Sequence, residues 1–314
     1  MSGANILVSG IGGDIGFGIG RILRDFDGLG AISGIDIHAD HAGPAIFDHC
    51  AVAPRATDPD YLKWISRFIG ASAIDLFIPT SEAELTALFG LPSIGRARIL
   101  QVNRSVAETC LDKHECLTFL AAQGVAVPSH GIVGQSYPDT YPIIVKPRSG
   151  QGSKGLMRID NRKGLDAAQQ PGQVWQSYLL PDDEEYTCAV FRTPSVQTRI
   201  LVLRRTLQGG FTGKGEVVEN ATIYAYVEQI ARVLDLDGAM NVQLRLTADG
   251  PLLFEINPRL SSTLVFRDKL GFQDLRWWLC EAFGLDTPVY RAPRAGVRFF
   301  RGVQEYILSP GRPD

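Results

Sequence analysis

The chain has 314 residues, 45% of them hydrophobic and 21% charged, with a formal net charge of -3 and a sequence pI near 6.0. This is the composition of a globular protein with room for two or three domains, and it excludes the basic field of a nucleic-acid binder. No apolar run approaches a membrane span, no positively charged leader precedes Arg21, and the five cysteines lie scattered without a C-x-x-C pair, so a cytoplasmic chain with reduced thiols is expected.

Residues 5–9 form a short apolar run that leads into Gly10-Ile11-Gly12-Gly13-Asp14-Ile15-Gly16, after which Ile19, Ile22, Leu23 and Phe26 recur at helical spacing. The pattern predicts strand, glycine turn, helix. A second strand over 31–37 carries Asp36 near its end, where a dinucleotide-binding fold places the acid for a ribose. Another buried strand over 73–78 runs into Pro79-Thr80-Ser81-Glu82-Ala83-Glu84-Leu85. Thr80 or Ser81 is a candidate N-cap with Glu82 and Glu84 in the first turn, and Glu82 is also a candidate to face substrate.

The first domain is predicted to end near Arg104. Asp112 and Lys113 open a helix that Gly124 terminates, and a strand over 141–145 delivers Lys146 directly before Arg148-Ser149-Gly150-Gln151-Gly152-Ser153-Lys154-Gly155. Glycines among small polar residues let backbone N–H groups curl around an anion. The loop is not a P-loop, since G-x-x-x-x-G-K-[ST] is absent. Strands are predicted over 174–180, 196–207 and 216–220, a helix over 223–234, and a late strand over 296–301. Arg204 and Lys214 are candidate anion contacts.

Two alternating runs, 241–246 and 252–257, flank Ala248-Asp249-Gly250-Pro251 and predict an antiparallel hairpin. Alternation puts Asn241, Gln243 and Arg245 on one face of the first strand and Glu255, Asn257 and Arg259 on one face of the second. If those faces coincide, Gln243, Glu255 and Asn257 converge as oxygen donors. One carboxylate with neutral oxygens suits Mg²⁺, which fills its remaining positions with water and phosphates. The same alternation also fits the solvated face of an edge strand.

Phe254-Glu255-Ile256-Asn257-Pro258-Arg259, preceded by Asn241-Val242-Gln243, resembles the metal signature of the ATP-grasp enzymes. The nearest variant is that of the carbamoyl-phosphate synthase large chain, whose modules use a Gln, a Glu and an Asn on two magnesium ions with an Arg two residues beyond. The resemblance covers nearly the whole chain. It implies an α/β fold, α+β in its second part: a Rossmann-like preATP-grasp domain over 1–105, then a two-lobed ATP-grasp fold over 106–314. Within the latter, 106–178 is the smaller, lid-bearing lobe and 179–314 the larger lobe with the metal site.

By the same resemblance, Gln243, Glu255 and Asn257 hold Mg²⁺, with Mn²⁺ as a substitute, and Arg259 stabilises the transferring phosphoryl group. Lys113, Lys146, Gly150, Gly152, Ser153 and Gly155 hold ATP phosphates. Gln176, Ser177, Tyr178 and Leu179 form the hinge that reads adenine, and Glu185, or else Glu184, holds the ribose. Gly12, Gly13, Asp14 and Glu82 shape the acceptor's site. The implied reaction is ATP-dependent ligation of a small-molecule carboxylate to an amine, thiol or ammonia through an acyl-phosphate, without nucleic-acid or membrane partners and with a homodimer as an open possibility.

Two other functions compete. Glycines at 10, 13 and 16 also resemble the G-x-x-G-x-x-G of extended short-chain dehydrogenases and sugar-nucleotide epimerases, which implies NAD(P). Those enzymes need Tyr-x-x-x-Lys, and none of the nine tyrosines has Lys four residues on. The other competitor is a nucleotide-binding protein without turnover.

Overall fold

The computed structural model describes residues 3–150, 155–168 and 172–308. The chain divides into two compact units: unit 1 comprises Met1–Gln101, Leu260–Arg291 and Arg301–Asp314, and unit 2 comprises Val102–Arg259 and Ala292–Phe300. Unit 2 thus lies between two stretches of unit 1, residues 260–291 returning to it.

Unit 1 runs β1 (Ala4–Ser9), α1 (Asp14–Arg24), β2 (Leu29–Asp36), β3 (His49–Val52), α2 (Tyr61–Ala71), β4 (Leu76–Ile78), α3 (Glu82–Ala87), β5 (Ser93–Ile94) and β6 (Ala97–Ile99). These strands form one sheet in the order β3-β2-β1-β4-β6-β5, parallel except for β5 against β6. Ile6, Leu7 and Val8 are fully buried, as expected of a central parallel strand covered on both faces. The chain moves from β1 to β2 on one side and later to β4 on the other. That reversal opens a crevice beyond the carboxyl ends of β1 and β4, where residues 10–13 and 79–82 follow. The strand expected from Ala73 starts only at Leu76, since Ala73 takes a φ of 49°, a conformation no strand residue adopts.

Unit 2 begins with α4 (Arg104–Cys110), α5 (Lys113–Ala122), β7 (His130–Ile132), β8 (Ile143–Pro147), β9 (Met157–Ile159), α6 (Arg162–Ala167) and β10 (Gln173–Ser177). Its first sheet is antiparallel, in the order β7-β10-β8-β9. There follow β11 (Glu185–Thr193), β12 (Val196–Gln208), β13 (Phe211–Val217), α7 (Ala221–Val233), β14 (Gly238–Thr247), β15 (Gly250–Asn257) and β16 (Arg298–Phe300). The second sheet has the order β15-β14-β11-β12-β13-β16. β13 starts at Phe211 rather than at the expected Glu216, because Gly209 and Gly210 both take positive φ, 60° and 86°, and close a two-residue hairpin.

In the returning part of unit 1, α8 (Leu264–Lys269) packs on α1 and is followed by α9 (Asp274–Phe283). Arg267 Nε donates to both Asp274 oxygens at 3.0 Å, and its Nη1 donates to Ser261 Oγ and Thr263 Oγ1 at 2.8 and 3.0 Å. Both members of the pair are 1% exposed. Among the described residues no helix is long and apolar enough to cross a membrane, and the five cysteines are free thiols.

Breaking one side of a buried pair strands the other charge without solvent. Asp274→Ala is therefore expected to cost about 3–5 kcal/mol of stability, whereas replacing Arg267 and Asp274 together by apolar residues should recover most of it. Urea denaturation of the two variants beside the wild type checks this; an equal loss in both would exclude the stranded charge as the cause.

Candidate functional site

The hairpin of β14 and β15 pairs Asn241 with Asn257 and Gln243 with Glu255, so the two expected faces do coincide. Beyond Gln243 the register shifts, Leu244 facing Leu253, which leaves Phe254 as the extra residue of a β-bulge. A bulge bends the strand and re-aims its backbone, and here the freed carbonyl of Phe254 accepts from Lys146 Nζ at 2.7 Å. On the neighbouring strand β11, Thr187 faces Gln243 and Glu185 faces Arg245. Thr187 Oγ1 donates to Asn241 Oδ1 at 2.8 Å.

Lys146 is the penultimate residue of β8 and is 7% exposed. Its ammonium also donates to Gln176 Oε1 of β10 at 2.8 Å. Burial lowers its pKa to about 8; Glu255 works against that shift and Lys113 adds to it. Lys113 opens α5, whose N-cap Asp112 accepts from the amides of His114 and Glu115. The Lys113 amide donates to Arg148 O at 2.9 Å and Nζ donates to Gly150 O at 2.6 Å, leaving Nζ 3.8 Å from Glu255 Oε1. Arg148 Nε is held in turn by the Asp112 carboxylate.

These groups line one cavity of about 510 Å³ within unit 2. Lys113, Lys146, Gln243 and Glu255 form one part of its wall, the hinge residues Gln176, Ser177, Tyr178 and Leu179 another, and Ile144, Leu156 and Phe254 supply apolar surface. Gly150 also lines it, while Gly152 and Ser153 lie outside the described residues. Gly155 takes a φ of 74° and is not part of the wall. Glu185 lines the cavity, whereas Glu184 accepts from the Tyr186 hydroxyl and from Arg204. Asn257 and Arg259 are buried, 5% and 8% exposed, and joined by a 2.9 Å bond from Arg259 Nη2 to Asn257 Oδ1; neither belongs to the cavity wall.

Two basic residues of the wall, Arg205 and Arg245, were not among the candidates. The expected anion contact Arg204 points instead to Glu216 and Glu184 with its side chain 45% exposed, and Lys214 is exposed on β13. The reason is alternation: Tyr186 pairs with Arg204, so Arg205 stands on the face of Glu185. Only the register of β11 against β12 decides which of the adjacent arginines turns inward. Arg245 Nη1 donates to Leu179 O at 2.5 Å and to Asp182 at 2.7 Å, tying the hinge to β14.

The remaining candidates gather in unit 1. Three successive amides of the glycine turn are spent internally, Ile11 N on Ile35 O, Gly12 N on Asp36 Oδ2 and Gly13 N on Gly10 O. Asp36 also accepts from His38 N. The turn therefore offers no row of free N–H groups to a pyrophosphate, and its acid is engaged where a ribose would need it, which weighs against a dinucleotide. Gly10 cannot carry a side chain, since a Cβ would stand 2.5 Å from Thr80 Oγ1. Asp14 is the first residue of α1, paired with Arg301; burial raises its pKa and Arg301 opposes that. Glu82 is buried in the first turn of α3, where Ser81 is the N-cap and completes a capping box with Glu84.

As a metal site, the hairpin face offers oxygen donors only: the Glu255 carboxylate and the amides of Gln243 and Asn257. That set fits a hard cation. Among the described residues no group of three His, Cys, Asp or Glu comes together. Glu255 Oε1 has Lys113 Nζ at 3.8 Å, while Gln243 Oε1 and Asn257 Oδ1 each already accept from an arginine.

A family model described as ATP-grasp in the biosynthetic pathway with Ter operon matches residues 173–300, a span that includes the hinge and hairpin but not Lys113 or Lys146. Biotin carboxylase from Campylobacter jejuni, in its β-γ-ATP complex, aligns with a TM-score of 0.75 at 14% identity over 94% of this chain and 74% of that one. N5-carboxyaminoimidazole synthetase from Staphylococcus aureus, complexed with ADP, gives 0.73 at 19% identity over 91% and 79%. L-amino acid ligase from Bacillus licheniformis gives 0.72 at 18% over 90% and 74%. No curated protein sequence matches significantly. Over 90–94% of its length the chain shares the fold of these proteins, and residues 173–300 match an ATP-grasp family model.

Proposed function

We propose that the chain is an ATP- and Mg²⁺-dependent ligase that activates a small carboxylate as its acyl-phosphate and joins it to an amine, releasing ADP and phosphate. The observation that carries this reading is the meeting of Lys113, Lys146 and Glu255 in the wall of a cavity that also holds a hinge and Glu185. The names of the similar proteins, a carboxylase, a synthetase and a ligase, support it. The narrower likeness to carbamoyl-phosphate synthase rests on Gln243, Glu255, Asn257 and Arg259 alone.

Phosphoryl transfer asks mainly for positioning and charge neutralisation. Ile144, Leu156 and Phe254 sandwich the base, the hinge backbone reads its edge, and Glu185 accepts from the ribose hydroxyls. Lys113 and Lys146 grip the phosphate chain, with Gly150 beside it. Glu255 and Asn257 are the donors that would hold Mg²⁺, or Mn²⁺, whose charge helps neutralise the phosphates; Gln243 is the third oxygen on that face. The substrate carboxylate attacks the γ-phosphorus as ADP leaves, Arg259 stabilises the transferring group, and the amine then displaces phosphate and loses a proton. Gly12, Gly13, Asp14 and Glu82 in unit 1 are the residues assigned to the acceptor.

Glu255→Gln removes the only carboxylate of the donor set from a partly exposed position, so ADP formation is expected to fall by about 100-fold or more with the thermal transition unchanged. ADP release is measured across pooled carboxylic acids and amines. Wild-type turnover in the variant would end the metal assignment, and absence of any turnover in the wild type across a broad pool would favour a nucleotide-binding protein without catalysis.

Lys146 carries its proton below its pKa of about 8, and phosphate binding needs that charge. Since the free-state pKa is depressed, metal-free ADP affinity should be level below it and fall by up to about tenfold per pH unit above it. Calorimetric titrations in EDTA from near-neutral to alkaline pH test this, with Lys146→Arg expected to remove the fall. A wild-type profile flat through the alkaline range would remove Lys146 from the phosphate contacts.

A further inference from the structure

Arg205 reaches the cavity from the middle of β12 with its side chain 8% exposed. Its Nε donates to Glu185 Oε1 at 3.0 Å, Nη2 lies 2.8 Å from the same oxygen, and Nη2 also donates to Gln243 Oε1 at 2.8 Å. The guanidinium is thereby fixed among β11, β12 and β14. Gln243 Oε1 is the atom that the resemblance assigns to a metal ion. A second lone pair remains on that oxygen, but a divalent cation there would stand a few ångströms from a guanidinium that cannot swing away without breaking its pair with Glu185. Charges of one sign at such range repel strongly where water is scarce, and Lys113 and Lys146 already make this wall cationic. Asn257 differs in that its arginine, Arg259, is its neighbour two positions along the chain and is assigned to the transferring group.

We infer that Arg205 takes the cation's place at Gln243: a guanidinium, not a second metal ion, faces the phosphate chain there, and Gln243 positions Arg205 instead of ligating metal. This rests on the nucleotide-binding reading of the cavity. A planar guanidinium matches phosphate oxygens and stays charged at any working pH, so part of the nucleotide affinity becomes independent of divalent metal. The donor set would then hold one metal ion, centred on Glu255.

Two measurements separate the possibilities. Calorimetry of ADP in EDTA is expected to show binding weakened by at least about tenfold in Arg205→Met and less in Arg205→Lys, as loss and retention of a charged phosphate contact require. Manganese bound at saturating ADP, counted by electron paramagnetic resonance, is expected to be equal in wild type and Gln243→Leu, with thermal melts confirming that each variant is folded. Wild-type ADP affinity in Arg205→Met, or loss of one Mn²⁺ per complex in Gln243→Leu, would overturn the inference while leaving the ligase reading intact. A wild-type protein that binds no ADP would overturn both.

Discussion

An ammonium group that has lost its water must find oxygen partners in fixed places, and the cavity of unit 2 is organised around that requirement at Lys146. Its two partners come from different sheets: Gln176 belongs to the sheet of β7-β10-β8-β9, and Phe254 O belongs to the hairpin of the second sheet. One nitrogen thus ties the two sheets together where the apolar and charged parts of the wall meet. The bulge is what makes the tie possible. In regular pairing the Phe254 carbonyl would face along the ladder, and Lys146 would be left a buried charge with a single partner.

The wall reverses the charge of the chain as a whole. Four basic side chains, Lys113, Lys146, Arg205 and Arg245, stand there against two acids, Glu185 and Glu255, in a protein of net charge -3. Composition averages over such a pocket, so a chain of net negative charge can still present a local cationic wall. The two acids are each placed against basic side chains, Glu185 between Arg205 and Arg245 and Glu255 near Lys113, so they shape the field more than they cancel it.

Much of this was legible in the amino-acid order, for reasons that differ from place to place. Period-2 alternation around a glycine-bearing turn predicts which side chains share a face of β14 and of β15, and the register then brings the two faces together and pairs Gln243 with Glu255. Thr80 and Ser81 were both legible as N-cap candidates, and the structure selects Ser81, which Glu84 three residues later completes as a capping box. Three things were hidden. The bulge at Phe254 depends on how the strand meets Lys146, more than a hundred residues away. The choice of Arg205 over Arg204 depends on a register between strands, to which each strand's own pattern is blind. The return of residues 260–291 to unit 1 depends on where a helix finds its apolar partner, and α8 finds it on α1.

That return has a consequence for the order in which the molecule is made. Unit 1 owns residues that are made before unit 2, yet the pair of Asp14 with Arg301 spans 287 positions, and α8 and α9 also arrive only after nearly all of unit 2. Domains tend to fold as their chain emerges, but here the first sheet, all of whose strands lie before residue 100, keeps the face of α1 that α8 will cover open while a second unit forms in the intervening segment. Closing so long a loop is slow relative to local contacts. The nascent chain therefore passes through a stage in which the cavity of unit 2 can already exist and the unit begun first still lacks the helix that covers α1.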